Sequence, residues 1–209
     1  DVSRSMNFKS QTLTKLDYGR YLAACLTYFC TRQRDRVGLV TFDADIVTRV
    51  PPSAKHLDVI LHELDRIDAG QPGSLERPFF RATEFFKRRG IIVVISDFYE
   101  DPKKVVDMLK PLSYGGNDLI VFQVLDPAEI DFPYEDPTSF QDLETGRKMP
   151  VVPAKLREQY RELIQEHITA LSKLCGENRI DYALFNTATP IDHALFKFLA
   201  MREKLSRVR

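Results

Sequence analysis

Asp1-Val2-Ser3-Arg4-Ser5-Met6 places an acid and two hydroxyls at alternate positions, and its reading decides the fold. Oxygen-bearing side chains spaced in this way can converge on one point. Mg²⁺ takes near-octahedral oxygen ligation, keeps several waters and uses one or two carboxylates, so such a loop suits it better than a thiolate or imidazole cage. Mn²⁺ and Ca²⁺ accept the same donors. The same residue types also favour turns and caps by bonding nearby backbone N–H groups, so a capped turn at Ser3 and Ser5 with no ion is the alternative.

Working outward, the apolar run Ile91-Ile92-Val93-Val94-Ile95 followed by Ser96-Asp97 reads as a buried strand with an acid at its carboxyl end. Neighbouring strand ends bring Asp1 and Asp97 to one site. A motif at the end of a strand also needs its own strand. We therefore expect a first central strand upstream of residue 1, with the numbering starting inside a longer chain. Such a strand buries aliphatic side chains worth about 1.5–3 kcal/mol each, a large share of the roughly 5–15 kcal/mol of a domain's net stability.

The remaining chain alternates strand and helix. Asp17 to Thr31 is a helix with Leu22, Cys25, Leu26 and Phe29 on one apolar face, and Arg36 to Phe42 is a strand. Asp43-Ala44-Asp45 turns into a short edge strand, Ile46 to Val50. Ser53 is a candidate cap for a helix from His56 to Asp68, and Pro78 sits within the first turn of a helix running to Arg88 and closed by the basic end Lys87-Arg88-Arg89-Gly90. Asp101-Pro102 starts another. Asp118 to Val124 is the next buried strand, and Asp126-Pro127 turns the chain out of the sheet. Residues 127–153 break the alternation with five prolines and a hairpin turn at Glu144-Thr145-Gly146, which reads as an insertion that covers the sheet edge or carries partner contacts. A long helix from Ala154 to Cys175 has Leu156, Tyr160, Leu163, Ile164, Ile168 and Leu171 as its stripe. A strand from Asp181 to Phe185 follows, and a last helix packs through Leu195, Phe198 and Leu199 before a basic end, Arg202 to Arg209.

This order predicts one α/β domain over residues 1–209, a Rossmann-like doubly wound, mostly parallel sheet covered on both faces. Ligands of such sheets gather outside the carboxyl ends of strands. Asp1 and Asp97 both fall there.

Together, Asp1 to Met6, Asp17-Tyr18, Asp35 to Phe42 and Ile95-Ser96-Asp97-Phe98 resemble a von Willebrand factor type A-like domain. The likeness is greatest to a bacterial family of uncharacterised type A-like proteins whose genes commonly accompany MoxR-type AAA+ ATPases. Val124 to Glu129, Phe140 to Gly146 and Asp181-Tyr182 extend it over nearly the whole chain. The resemblance implies strand order 3-2-1-4-5-6 with an antiparallel edge strand, and a metal-ion-dependent adhesion site in which Ser3 and Ser5 bind Mg²⁺ directly and Asp1 and Asp97 bind through waters. The family pattern adds a threonine, and the matching tripeptide here is Gly73-Ser74-Leu75. Gly73 has no oxygen to offer, so Ser74 serves as a fifth ligand only if the loop shifts by one residue.

Composition bounds the function. Lys plus Arg and Asp plus Glu both total 30, so the chain has no generic attraction to nucleic acid. No apolar run approaches the roughly 20 residues of a membrane helix. Three cysteines without paired spacing read as reduced thiols, and the expected location is cytoplasmic. No phosphate loop, zincin helix or nucleophile elbow is present. The expectation is a non-enzymatic protein-interaction module, and the resemblance implies that its partner is a MoxR-type ATPase or a protein handed to it. The rival readings are a metal-assisted hydrolase or phosphoryl-transfer enzyme with Asp43 or Asp126 as base, and a metal-free scaffold.

Overall fold

A computed structural model describes residues 1–86, 88–143 and 145–206. Among the described residues the strands in chain order are β1 (Val37–Phe42), β2 (Ile46–Ser53), β3 (Ile91–Ser96), β4 (Asp118–Leu125), β5 (Thr138–Gln141), β6 (Lys148–Val151) and β7 (Asp181–Asn186). Between and around them run α1 (Lys15–Arg32), α2 (Leu57–Asp65), α3 (Glu76–Ala82), α4 (Pro102–Ser113), α5 (Pro127–Asp131), α6 (Pro153–Glu177) and α7 (Ile191–Ser206).

β3, β4 and β7 form a parallel sheet in that order, with Ile95 opposite Phe122 and Phe122 opposite Ala183. Side chains alternate across β4, so each face has its own core. On one face Leu119 and Val121 pack with Ile92 and Val94 against Val105 and Leu109 of α4 and Leu171 and Cys175 of α6. On the other, Ile120, Phe122 and Val124 meet Tyr18 and Leu22 of α1 and Leu195 and Phe198 of α7. The expected two-faced α/β arrangement is therefore present.

The sheet differs from the expected continuous one. β1 and β2 form a separate antiparallel pair, with Leu39 opposite Val50 and Thr41 opposite Thr48. The backbone of the first two residues lies between this pair and the parallel sheet: the Asp1 nitrogen donates to Ile95 O (2.9 Å) and the Val2 N–H to Phe42 O (2.8 Å).

Several local expectations need correction. Ser53 ends β2 and accepts from Lys55 N–H, while α2 starts at Leu57, and His56 at its N-cap makes no side-chain capping bond. α3 stops at Ala82 instead of running to Arg88, so the basic run closes no helix; Lys87 lies outside the described residues. Phe29, Leu156, Leu163 and Leu199 belong by spacing to apolar stripes but are exposed, because the neighbouring layer covers only part of each helix. Within the insertion, α5 precedes a hairpin of β5 and β6, with Phe140 opposite Met149. Its turn lies about Asp142 to Gly146, where Gly146 N–H donates to Asp142 O; Glu144 lies outside the described residues. The hairpin is held by aromatic contacts, Phe132 stacking on Phe140 and lying 4.6 Å from Tyr160 between ring centres. Among the described residues no helix is long and apolar enough to cross a membrane.

Candidate functional site

Past Asp1 the chain turns sharply. Ser3 N–H donates to Asp1 Oδ1 (2.8 Å), and a short 3₁₀ turn over Arg4–Asn7 brings Ser5 beside Ser3, with Oγ to Oγ 3.2 Å. The chain does turn here, but Ser3 makes no side-chain cap, and the turn gathers the two hydroxyls instead. Asp1 Oδ2 accepts from Ser96 Oγ (2.5 Å), which ties the opening loop to the end of β3.

Asp97 follows and is buried. Its backbone O accepts from Gln123 Nε2 (2.9 Å), whose amide O accepts from Tyr182 (2.6 Å). The next residue, Phe98, is buried with φ 51°. A bulky side chain in that left-handed region costs on the order of 1–3 kcal/mol and persists only where neighbours over-determine it. Here Phe98 N–H donates to Ser96 Oγ (3.2 Å) and Phe98 O accepts from His167 Nε2 (2.9 Å). Asp97 is aimed by backbone that is held rather than relaxed.

The loop before α3 closes the site. Gly70 N–H donates to Val2 O, Gln71 N–H to Asp43 Oδ2, Ser74 N–H to Asp43 O and Leu75 N–H to Glu100 Oε1. Gly73 lies so near Ser3 that a Cβ there would fall 2.6 Å from Ser3 Cβ. A side chain at 73 therefore requires Ser3 to move, which gives a steric reason for glycine in the place of a threonine. Ser74 is the hydroxyl left to this loop.

Asp1, Ser3, Ser5, Ser74 and Asp97 all line one pocket of about 360 Å³. Asp43, Glu100, Glu129 and Asp142 join its wall, and no lysine or arginine among the described residues does. The insertion contributes Gln141, Asp142 and Leu143, so its hairpin forms part of the pocket wall. Among the described residues no three His, Cys, Asp or Glu side chains form a metal-holding group, so any cation seat here depends on the hydroxyls.

Sequence reasoning missed two residues here, Glu129 on the wall and Lys15 behind it. Lys15, wholly buried, places Nζ 2.8 Å from Asp97 Oδ2 and 2.7 Å from Glu129 Oε1. Burial opposes its charge, but Asp97 and Glu129 outweigh burial and hold the ammonium pKa above its ordinary value. Burial pushes the Glu129 carboxyl up, only partly offset by Lys15. The one sequence signal was local: a lysine in the first turn of α1 faces the positive end of the helix dipole and needs a compensating acid.

Asp126, weighed as a base, is buried away from the pocket wall. It caps α5, accepting from Ala128 N–H (2.8 Å), Ser10 N–H (2.8 Å) and Ser10 Oγ, while Glu129 reaches back to Asp126 N–H. Its role is the expected turn. Cys175 is buried, and burial pushes its thiol up to about 12, so the thiol is inert.

Residues 1–170 match a family described as protein of unknown function DUF58. Uncharacterized proteins of Mycobacterium bovis and Mycobacterium tuberculosis are 26% identical over 176 residues, covering 80% of this chain and 54% of theirs. The chain thus spans about half the length of these relatives. Two solved structures share the fold. One is the conserved hypothetical protein BatB from Bacteroides thetaiotaomicron, with TM-score 0.62 and 20% identity over 98% of this chain and 96% of that one. The other is an aerotolerance-related membrane protein from Bacteroides fragilis, with TM-score 0.65 and 18% identity over 99% and 96%.

Proposed function

The chain belongs to the DUF58 family of proteins of unknown function, and from that premise and the pocket we propose a protein-interaction module that docks its partner through a divalent cation. The observation that carries this reading is the gathering of Asp1, Ser3, Ser5, Ser74 and Asp97 on one pocket wall. The donor set fits a hard ion: all five offer oxygen. The 3.2 Å between Ser3 Oγ and Ser5 Oγ is close to the about 2.9 Å between adjacent oxygens of an Mg²⁺ octahedron. Ser3 and Ser5 would bind directly, and Asp1 and Asp97 through waters.

When bound, the cation supplies an electrophilic point to which a carboxylate of the partner can attach. The chain's own residues do the rest. Ser96 and the Ser3 N–H orient the Asp1 carboxylate. Gln123 holds the Asp97 backbone. The six carboxylates of the wall draw a cation in. The finer architecture, a von Willebrand factor type A-like domain whose adhesion site this is, belongs to the same proposal. So do the MoxR-type AAA+ ATPase as partner and a cytoplasmic location, both of which rest on the sequence resemblance.

Co-purification tests the partner. A MoxR-type ATPase from the source bacterium should be retained by the tagged chain with Mg²⁺ and lost with EDTA or with Asp97→Ala. Retention that ignores both treatments would overturn a cation-dependent contact.

One observation favours a second reading, the metal-free scaffold. Lys15 already neutralises Asp97 from behind, so the wall is partly charge-balanced without an ion. Retention of the ATPase in EDTA, lost on Ser74→Arg in the pocket wall, would support it. The hydrolase reading keeps only Asp43 as a base on the wall.

A further inference from the structure

Lys15 has no role in holding a cation, yet it is the most completely enclosed charge next to the pocket. Its side chain is 0% exposed, and its ammonium bonds Asp97 at 2.8 Å and Glu129 at 2.7 Å. The Tyr99 ring centre lies 4.9 Å from the same nitrogen. Asp97 and Glu129 both line the pocket, whereas Lys15 does not. The ammonium therefore sits behind the wall, shared by two acids that line the cavity.

We propose that Lys15 is an internal counter-ion that competes with a pocket-bound divalent cation for Asp97, and that Glu129 is the seat to which its ammonium withdraws. This rests on the cation reading above and adds to it the residues that set how tightly the pocket loads. A cation drawing on Asp97 from the cavity places positive charge on both sides of one carboxylate. The two cations repel, and low-dielectric surroundings screen them poorly. Lys15 is a point charge on a flexible stem, so it can lean from one acid to the other without leaving an unpaired buried charge. Glu129 lies on α5, fixed by its bond to Asp126 N–H (2.9 Å), and so stays in place to receive it.

The consequence is a pocket of deliberately weakened affinity. Removing the charge in Lys15→Met should tighten Mn²⁺ binding by about tenfold or more, and should make thermal stability depend strongly on the ion. Lys15→Arg keeps the charge and should stay near wild type. Glu129→Gln removes the second seat and should weaken Mn²⁺ binding.

Calorimetric titration of Mn²⁺ into the full chain, with melting in Mn²⁺ and in EDTA as a second readout, tests the proposal. Tighter binding by Lys15→Met with weaker binding by Glu129→Gln is the expected result. Measurable wild-type binding with Lys15→Met no tighter, or with Lys15→Arg tightened equally, overturns the counter-ion role alone. If Lys15→Met does not fold, Glu129→Gln decides: affinity equal to or above wild type overturns the proposal. Silent heats from every protein overturn the cation reading beneath it.

Discussion

Lys15 Nζ lies 2.8 Å from Asp97 Oδ2, and both residues are buried, so an ion pair 82 positions apart in sequence joins the first turn of α1 to the end of β3. Breaking a buried pair by removing one partner commonly costs about 3–5 kcal/mol because the other charge is left uncompensated. Asp97→Ala leaves Lys15 its bond to Glu129 and should therefore cost less, about 1–3 kcal/mol. Urea unfolding of the two proteins in EDTA measures this, and a loss above 5 kcal/mol would show that Glu129 cannot hold the ammonium alone.

Asp126, while buried, accepts hydrogen bonds from Ala128 N–H, Ser10 N–H, Ser10 Oγ and Thr187 Oγ1. Asp126→Ala should destabilise the chain by about 2–4 kcal/mol, the loss of a cap together with unsatisfied buried donors. Chemical denaturation gives the figure. A change under 0.5 kcal/mol would be about what a surface substitution gives, and would contradict the capping role.

Leu171 of α6 is wholly buried beneath the parallel sheet. Leu171→Ala should cost about 2–5 kcal/mol through lost transfer energy and the cavity left behind. By contrast Leu163→Ala, on the same helix but exposed, should change stability by no more than about 0.5 kcal/mol. Equal effects at the two positions would contradict the packing face assigned to α6.

His167 donates from Nε2 to Phe98 O, and its pKa is lowered from the usual 6.5, mainly by burial, which outweighs the Phe98 carbonyl and the Asp101 and Asp97 charges. A depressed folded-state pKa means that the unfolded chain binds the proton more readily. Stability from this group is therefore present above pH 6.5 and is lost as pH falls through the folded value. His167→Gln cannot charge, so its stability relative to wild type should rise as pH drops below 6.5. A difference that stays constant from pH 7 to pH 5 would refute the assignment.

Much of the architecture was legible because its cause is local. Continuous apolar runs and helical spacing marked β3, β4, α1 and α6, and the Asp101-Pro102 pair marked a helix start that the structure caps in that way, whereas Asp126-Pro127, read as a turn, caps the short helix α5. Asp1 and Asp97 were placed together by the rule that strand ends share an edge, and both line the pocket. Burial on each helix was legible only in part. Leu163 and Phe29 satisfy the spacing, but which apolar positions are covered depends on how far the neighbouring layer reaches. Lys15 was missed for a different reason: its partners come from β3 and α5, and no periodicity links a lysine at 15 to acids at 97 and 129. The approach of Gly73 to Ser3 was likewise invisible, since it arises where two distant loops meet.

The central claim is that the pocket wall of Asp1, Ser3, Ser5, Ser74 and Asp97 seats a divalent cation, and calorimetric titration of Mg²⁺ and Mn²⁺ tests it most directly. Saturable heat from the wild type that is abolished in both Asp97→Ala and the Ser3→Ala/Ser5→Ala double variant is the predicted result. Null heats for the wild type, or undiminished binding when both hydroxyls are gone, would contradict it.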